Sequence, residues 1–204
     1  VPKHVDHDTR RARIAEALLS LTAREGLEAV SLRHVAAEAG LSMGAVQHYF
    51  HTKDDMLVFA LEHQSAERER RITDLVRSAH APTVRSVLRT CLTEVLPTTE
   101  QSRSEWLVSV AFFIRALSEP AVAAVLAEGA PKVIGFFTEL LCRDRDAGVL
   151  RPGADPHEES VVLWSLVDSQ CAAIITGERT ADAALSTMDY YLDGLYIGES
   201  VPMS

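Results

Sequence analysis

The twelve residues SMGAVQHYFHTK, Ser42 to Lys53, bring together two hydroxyls, an amide, two imidazoles, a phenol and an ammonium. No nucleophile among them has an activating base beside it, so the set is better suited to hydrogen bonding than to catalysis. The amide of Gln47 matches N6 and N7 of adenine, the guanidinium of nearby Arg33 matches O6 and N7 of guanine, and Met43 and Ala45 can lie against a thymine methyl. Lys53, with Thr52, stands where the free N–H groups of a starting helix attract phosphate. Ser42, Met43, Ala45, Gln47, His48, Tyr49 and Lys53, with Arg33, are therefore candidates for a nucleic-acid surface.

Other reactive residue types give less. Cys91, Cys142 and Cys171 are far apart, with no C-x-x-C pair, and read as small reduced hydrophobes. The eight histidines are scattered, with His48 and His51 the nearest approach to a spaced pair, so no metal site and no cofactor is expected. A thiol hydrolase or a metal enzyme finds no support, and the chain is read as not an enzyme. Two charges stand out differently. Arg115 in WLVSVAFFIRAL and Asp168 in VVLWSLVDSQCAAII are each alone in a long apolar run. A buried charge needs a partner, so both are candidates for the wall of a ligand pocket, with Trp106, Phe113, Phe137 and Trp164 as its apolar part. Mutual pairing of the two charges, a reach out to the surface, or contact across a dimer axis is the plainer alternative.

The elements that must hold these residues read as helices throughout. Ile14, Leu18 and Leu21 mark one face of a helix over 8–24, which Gly26 ends. Ser31 can cap a helix over 32–39, Gly40 supplies a left-handed turn, Ser42 can cap a short helix to about Tyr49, and Thr52 can cap a long fourth helix from Lys53. Helices 32–39 and 43–49 make a helix–turn–helix, with Val35, Leu41, Val46 and Phe50 as shared core. Beyond His80, proline and glycine punctuation separates helices at about 83–96, 101–118, 120–146, 156–176 and 180–197, with Pro120 and Pro156 in first turns. The fold class is all-α with about nine helices. Helices 101–118 and 156–176, apolar on nearly every side, are expected to be buried.

The net charge is −9, yet it is uneven: residues 1–53 carry about +1 and five of the eight histidines, and residues 54–204 about −10. Anion binding belongs to the N-terminal quarter. Apolar runs such as SVVLWSLV are too short for the roughly 20 residues of a bilayer span, and VPKHVDHDTRR leads into an amphipathic segment; no membrane span and a cytoplasmic location are expected.

The text VSLRHVAAEAGLSMGAVQHYFHTKDDML, with the helix before it, resembles the DNA-binding domain of TetR-type transcriptional repressors over about Ile14 to Leu61. It departs from the usual pattern at Gln47, where an aromatic is common, and at Met43, where a polar or basic residue often stands. The resemblance implies a homodimeric repressor. Residues 1–53 would be the helix–turn–helix domain that grips a palindromic double-stranded operator, and residues 54–204 a helical domain that binds a small, mostly apolar effector and dimerises. It adds Ser31 to the DNA-facing set. Helices 156–176 and 180–197, doubled by a two-fold axis, would form a four-helix interface. A helical dimeric sensor without DNA binding, or a helical enzyme, is the alternative.

Overall fold

The computed structural model describes residues 3–200, 202 and 203, with side chains from His7 onward. Among these residues there are nine α-helices: α1 Lys3–Glu25, α2 Leu32–Glu38, α3 Met43–Tyr49, α4 Lys53–Ser78, α5 Val84–Val95, α6 Glu100–Ala116, α7 Pro120–Asp146, α8 Pro156–Ile175 and α9 Ala181–Leu195. The starts are set by local chemistry. Ser31, Ser42, Thr83, Asp155 and Thr180 each accept a backbone N–H of the first turn, and Pro156 occupies the position where a missing N–H costs nothing. A single 3₁₀ turn, Leu27–Ala29, follows Gly26 and adds to the expected elements.

The chain divides into two compact units. The first comprises residues up to Arg68 with Ser104–Ala127. Its core joins Ile14, Leu18 and Leu21 of α1, Val35 of α2, Val46 of α3 and Met56, Leu57 and Leu61 of α4 to Val108 and Phe112 of α6 and Val122 of α7. Two polar contacts extend it: Gln64 Nε2 donates to the Glu105 carbonyl at 3.2 Å, and Arg68 pairs with the Glu105 carboxylate at 3.0 Å.

The second unit comprises Glu69–Arg103 and Glu128–Ser204. Here α5 packs on α8 and α9. Leu88 and Leu92, Phe137 and Leu141, Leu163 and Val167, and Met188 and Leu192 are all buried. Arg89 makes two hydrogen bonds to Asp189, at 2.6 and 3.0 Å, and one helical turn away Arg85 pairs with Asp193. The guanidinium beside it holds the Asp189 carboxyl below the usual carboxylate range. The segment after α9 runs back over the unit, bridging Leu150 to Tyr196 and Thr83 to Pro202, and the Ser200 hydroxyl donates to buried Asp144 at 2.7 Å.

One expectation of burial is corrected. On α6, Val108 and Phe112 are buried but Phe113, Ile114 and Leu117 are 62%, 62% and 76% exposed. A helix buries only the sides that meet neighbours, and an apolar sequence does not say how many sides do. On α8 one stripe is buried and Val162, Ser165, Asp168, Ser169 and Ala172 face outward in the single chain, on a helix to which the sequence assigns a dimer interface. The reading of apolar runs also needs an addition. By length and composition alone α7 could cross a membrane, with a mean hydropathy of 1.4 over its best window, of which 11% is buried. Counting uninterrupted runs passes over it, because Glu128 and Lys132 break the run without lowering the average enough to matter.

Candidate nucleic-acid interface

The geometry starts at Gly40. Its φ of +63° closes the turn after α2, and Leu41 N–H reaches back to the Ala36 carbonyl at 2.9 Å. A Cβ at this position would stand 2.8 Å from the Arg13 guanidinium, the mobile end of a long side chain, so the turn needs glycine chiefly for its backbone. The Ser42 hydroxyl oxygen accepts the Ala45 N–H at 3.1 Å and starts α3. That helix has seven residues and a single buried one, Val46. Phe50, 2% exposed, caps its far end and anchors it in the core.

This short helix, pinned through one side, turns the rest of its side chains out. Met43, Gly44, Gln47 and His48 are exposed, and Ala45 and Tyr49 are half-buried. The Tyr49 ring lies between two imidazoles, edge-on to His48 at 5.4 Å and to His7 of α1 at 4.7 Å. Arg33, near the start of α2, is exposed while Val35 and Ala36 beside it are buried, and Ser31 serves as that helix's cap, accepting the His34 N–H at 3.3 Å. Lys53 opens α4, where Thr52 and Asp55 exchange backbone-to-side-chain hydrogen bonds of 3.0 and 3.1 Å. Of the DNA-facing candidates, Arg33, Met43, Gln47 and His48 combine access to solvent with freedom from a capping role. Ser31 and Ser42 already spend a lone pair on their helices and keep a hydroxyl proton to donate.

Sequence reasoning missed two members. His7 joins Tyr49 from a distant part of the chain. Arg11 lies over the Phe59 ring at 4.1 Å and the Phe50 ring at 5.3 Å, an arrangement for which no local pattern gives a signal. Beside it a cleft of about 390 Å³ is edged by Asp54, Asp55 and Glu62, and three carboxylates make it unsuited to phosphate. The surface that can take an anion therefore ends at Tyr49 and Lys53. Behind the interface, Arg24 binds Glu38 at 2.9 Å and ties the end of α1 to the end of α2, and this hydrogen bond lowers the Glu38 carboxyl below its ordinary range.

The pocket candidates fare differently. Arg115 is not alone: it reaches Glu119 at 3.0 Å and Asp54 at 3.9 Å, inside the first unit. Asp168 is exposed on the outer face of α8, and Phe113 is exposed on α6. The premise of two lone buried charges is therefore corrected: Arg115 is half-buried and paired, and Asp168 occupies the side of α8 that meets water. Phe137 is buried, and Trp106 and Trp164 are half-buried. Burial pushes the Cys91 thiol up to about 12, leaving it protonated and a poor nucleophile at neutral pH. Among the described residues no group of three His, Cys, Asp or Glu side chains is arranged to hold a metal ion.

Known proteins match along most of the chain. A family model described as "Bacterial regulatory proteins, tetR family" matches residues 14–58, and one described as "BetI-type transcriptional repressor, C-terminal" matches residues 82–196. The HTH-type transcriptional regulator PksA of Bacillus subtilis (strain 168) is 32% identical over 168 residues, covering 82% of this chain and 80% of that protein. BetI of Burkholderia thailandensis is 26% identical over 195 residues, covering 95% and 96%. Among solved structures, a transcriptional regulator from Rhodococcus sp. Rha1 superposes with a TM-score of 0.76 at 27% identity, over 91% of this chain and 95% of that one. A putative transcriptional regulator from Saccharomonospora viridis, in complex with choline, superposes at 0.81 and 21% identity over 97% and 100%, a likeness of fold alone.

Proposed function

Since the chain belongs to the TetR family of bacterial transcriptional regulators, proteins that are not enzymes, we propose that it is a repressor that binds a palindromic operator as a homodimer and is released by a small-molecule effector. The observation that carries the DNA-binding half is α3: a helix held by one buried residue and a serine cap, with Met43, Gln47 and His48 exposed on its outer face and Lys53 at the next helix start. A helix in the major groove offers its N-terminal residues to base edges, and the helix before it crosses the backbone. In this reading Gln47, Arg33, Met43 and Ala45 read bases, while Ser31, Ser42, His48, Tyr49 and Lys53 hold phosphates. Residues 1–53 carry the DNA chemistry and residues 54–204 the rest.

The dimer is assigned to α8 and α9. Val162 and Tyr190 are 42% and 81% exposed on those helices, apolar surface that a second copy would cover in a four-helix packing. The effector is assigned to the C-terminal helices and is mostly apolar, with Phe137 and Trp164 as wall candidates. The choline bound to the Saccharomonospora protein is a precedent for a small ligand on this fold. A cytoplasmic location goes with work on the chromosome, and α7 lies inside the span matched by the C-terminal family model.

The test is a gel shift with the DNA upstream of the protein's own gene, followed by footprinting. Protection of two half-sites about one helical turn apart supports the repressor. An unshifted band at low salt, with the dimer intact, would leave a sensor without DNA binding in its place.

A further inference from the structure

Four polar side chains lie in the buried stripe of α8, and three have found partners within the chain. Glu159 accepts from Arg151 and from the Tyr191 hydroxyl, Ser160 Oγ donates to the Pro156 carbonyl at 2.6 Å, and Cys171 Sγ donates to the Val95 carbonyl at 3.5 Å. The fourth is Gln170. Its side chain is 7% exposed, and its Oε1 is sealed from solvent with no donor on it.

A buried amide oxygen left without a donor is a cost to the fold, and one that Leu or Met at the same place would avoid. Leu163 and Val167, two turns and one turn earlier on the same stripe, show the residue type the position would take for stability alone. A second copy packed on the outer face of α8 cannot supply the donor, because Gln170 is turned well away from Ser165, Asp168 and Ala172, the middle of that face. The donor has to enter the second unit itself.

We propose that Gln170 is the polar anchor of the effector site, and that the effector is a neutral, largely apolar molecule that donates a hydroxyl or N–H to Gln170 Oε1. The inference rests on the reading that the C-terminal helices take up an effector, and it names that effector's chemistry. Charge is disfavoured for a stated reason: Glu159, the buried carboxylate on the same stripe, is already paired with Arg151 and accepts from Tyr191, and a charge taken into the core without a counter-charge is costly.

Phenol and toluene make the discriminating probes, since they match in size and differ in one donor. The full-length protein is compared with Gln170→Met, which keeps the volume and removes the acceptor, and with Gln170→Leu as a second replacement. Three results are expected together. Ligand-free Gln170→Met unfolds at the same temperature as the parent or higher; phenol binds the parent roughly three- to tenfold more tightly than the variant, the worth of one neutral hydrogen bond; and toluene binds both alike. A fall in unfolding temperature in both variants would mean that the amide already has a partner, such as an ordered water, and overturns the proposal. So does phenol that binds parent and variants equally, or that does not bind the parent at all. The effector reading stands or falls separately, by whether any compound in a panel releases the parent protein from its operator.

Discussion

Helices α3 and α8 use the same backbone in opposite ways. The first has seven residues, one of them buried, and works by what it leaves outside; the second has twenty, buries a full stripe, and leaves one of the four polar side chains on that stripe, Gln170, with an unmet acceptor. A short helix cannot be stable alone, so α3 borrows its position from caps, from the Gly40 turn and from Phe50. Its outer residues are then free to be chosen for a ligand. In α8 the residues are chosen for packing, and a functional residue shows itself as an exception to that choice. The contrast teaches where to look for chemistry: outside on the first, among the misfits on the second.

The largest effect should come from breaking the proposed outer use of α8 and α9. Tyr190→Asp combined with Val162→Asp should leave each chain folded, because neither side chain supports its own unit, but should convert dimers to monomers and weaken operator binding by roughly a hundredfold or more, the loss of a linked second half-site. Sedimentation and a gel shift check it. A dimeric double variant with full affinity would move the interface elsewhere.

Next comes the turn that aims α3. Gly40→Ala puts a Cβ on a backbone at φ +63° and against Arg13. The guanidinium can swing aside, so the cost is mainly conformational, about 1–2 kcal/mol. Thermal unfolding should fall by about 2–8 °C for a chain of this size, and operator affinity should fall with it. An unchanged melting curve would mean that the α2–α3 turn tolerates a side chain and does not constrain α3.

Smaller and more selective effects should separate base readers from phosphate holders on α3 itself. Gln47→Ala and Arg33→Ala should each relax base preference at one operator position, at roughly 1–3 kcal/mol for a bidentate contact. Lys53→Ala should weaken all sequences alike and reduce the slope of log K against log salt by about 0.9. Selection from randomised operators, read beside a salt titration, tells the two classes apart, and an unchanged selected motif for both Gln47→Ala and Arg33→Ala would remove them as readers.

The same contrast explains which features are legible in the sequence. Ser31, Ser42, Asp155 with Pro156, and Gly40 act on neighbours a few residues away, so each of these helix starts and the turn can be read from local text. The outward face of α3 follows, because with Val46 fixed inward the helical period settles its neighbours. What stays hidden depends on distant chain. Nothing local distinguishes Phe112, fully buried, from Phe113, largely exposed; the difference is which side of α6 meets the first unit's core. Arg11 finds its partners, Phe50 and Phe59, some forty residues on, and His7 finds Tyr49 at a similar separation. Asp168 misleads as a sequence signal: a lone charge in an apolar run reads as buried, when the charge itself marks the solvent side.

The smallest expected effect sharpens the comparison at the caps. Both helices start on a side chain that accepts backbone N–H groups, but α3 uses the neutral Ser42 and α8 the carboxylate of Asp155, which accepts from His157 and Glu158 at 2.9 and 3.0 Å. Those backbone hydrogen bonds, the Glu158 one foremost, hold the Asp155 carboxyl below its ordinary value of 3.8. A carboxyl whose folded-state pKa is depressed adds stability that is fully present above its unfolded value and is lost as pH falls through the folded one. The α8 cap should therefore weaken only below about pH 4, while the α3 cap, having nothing to titrate, should not change. Asp189, Glu38 and Glu128 carry depressed carboxyls too, so global unfolding by acid cannot isolate the effect. Hydrogen exchange at single amides can: the His157 and Glu158 N–H groups should lose protection relative to Ala45 as pH falls from about 5 toward about 3, and Asp155→Asn, which keeps an oxygen acceptor without the charge, should abolish that pH dependence. Equal loss at all three amides in the parent protein would show that the first turns of α3 and α8 respond to acid as one, and the distinction between the two caps would fail.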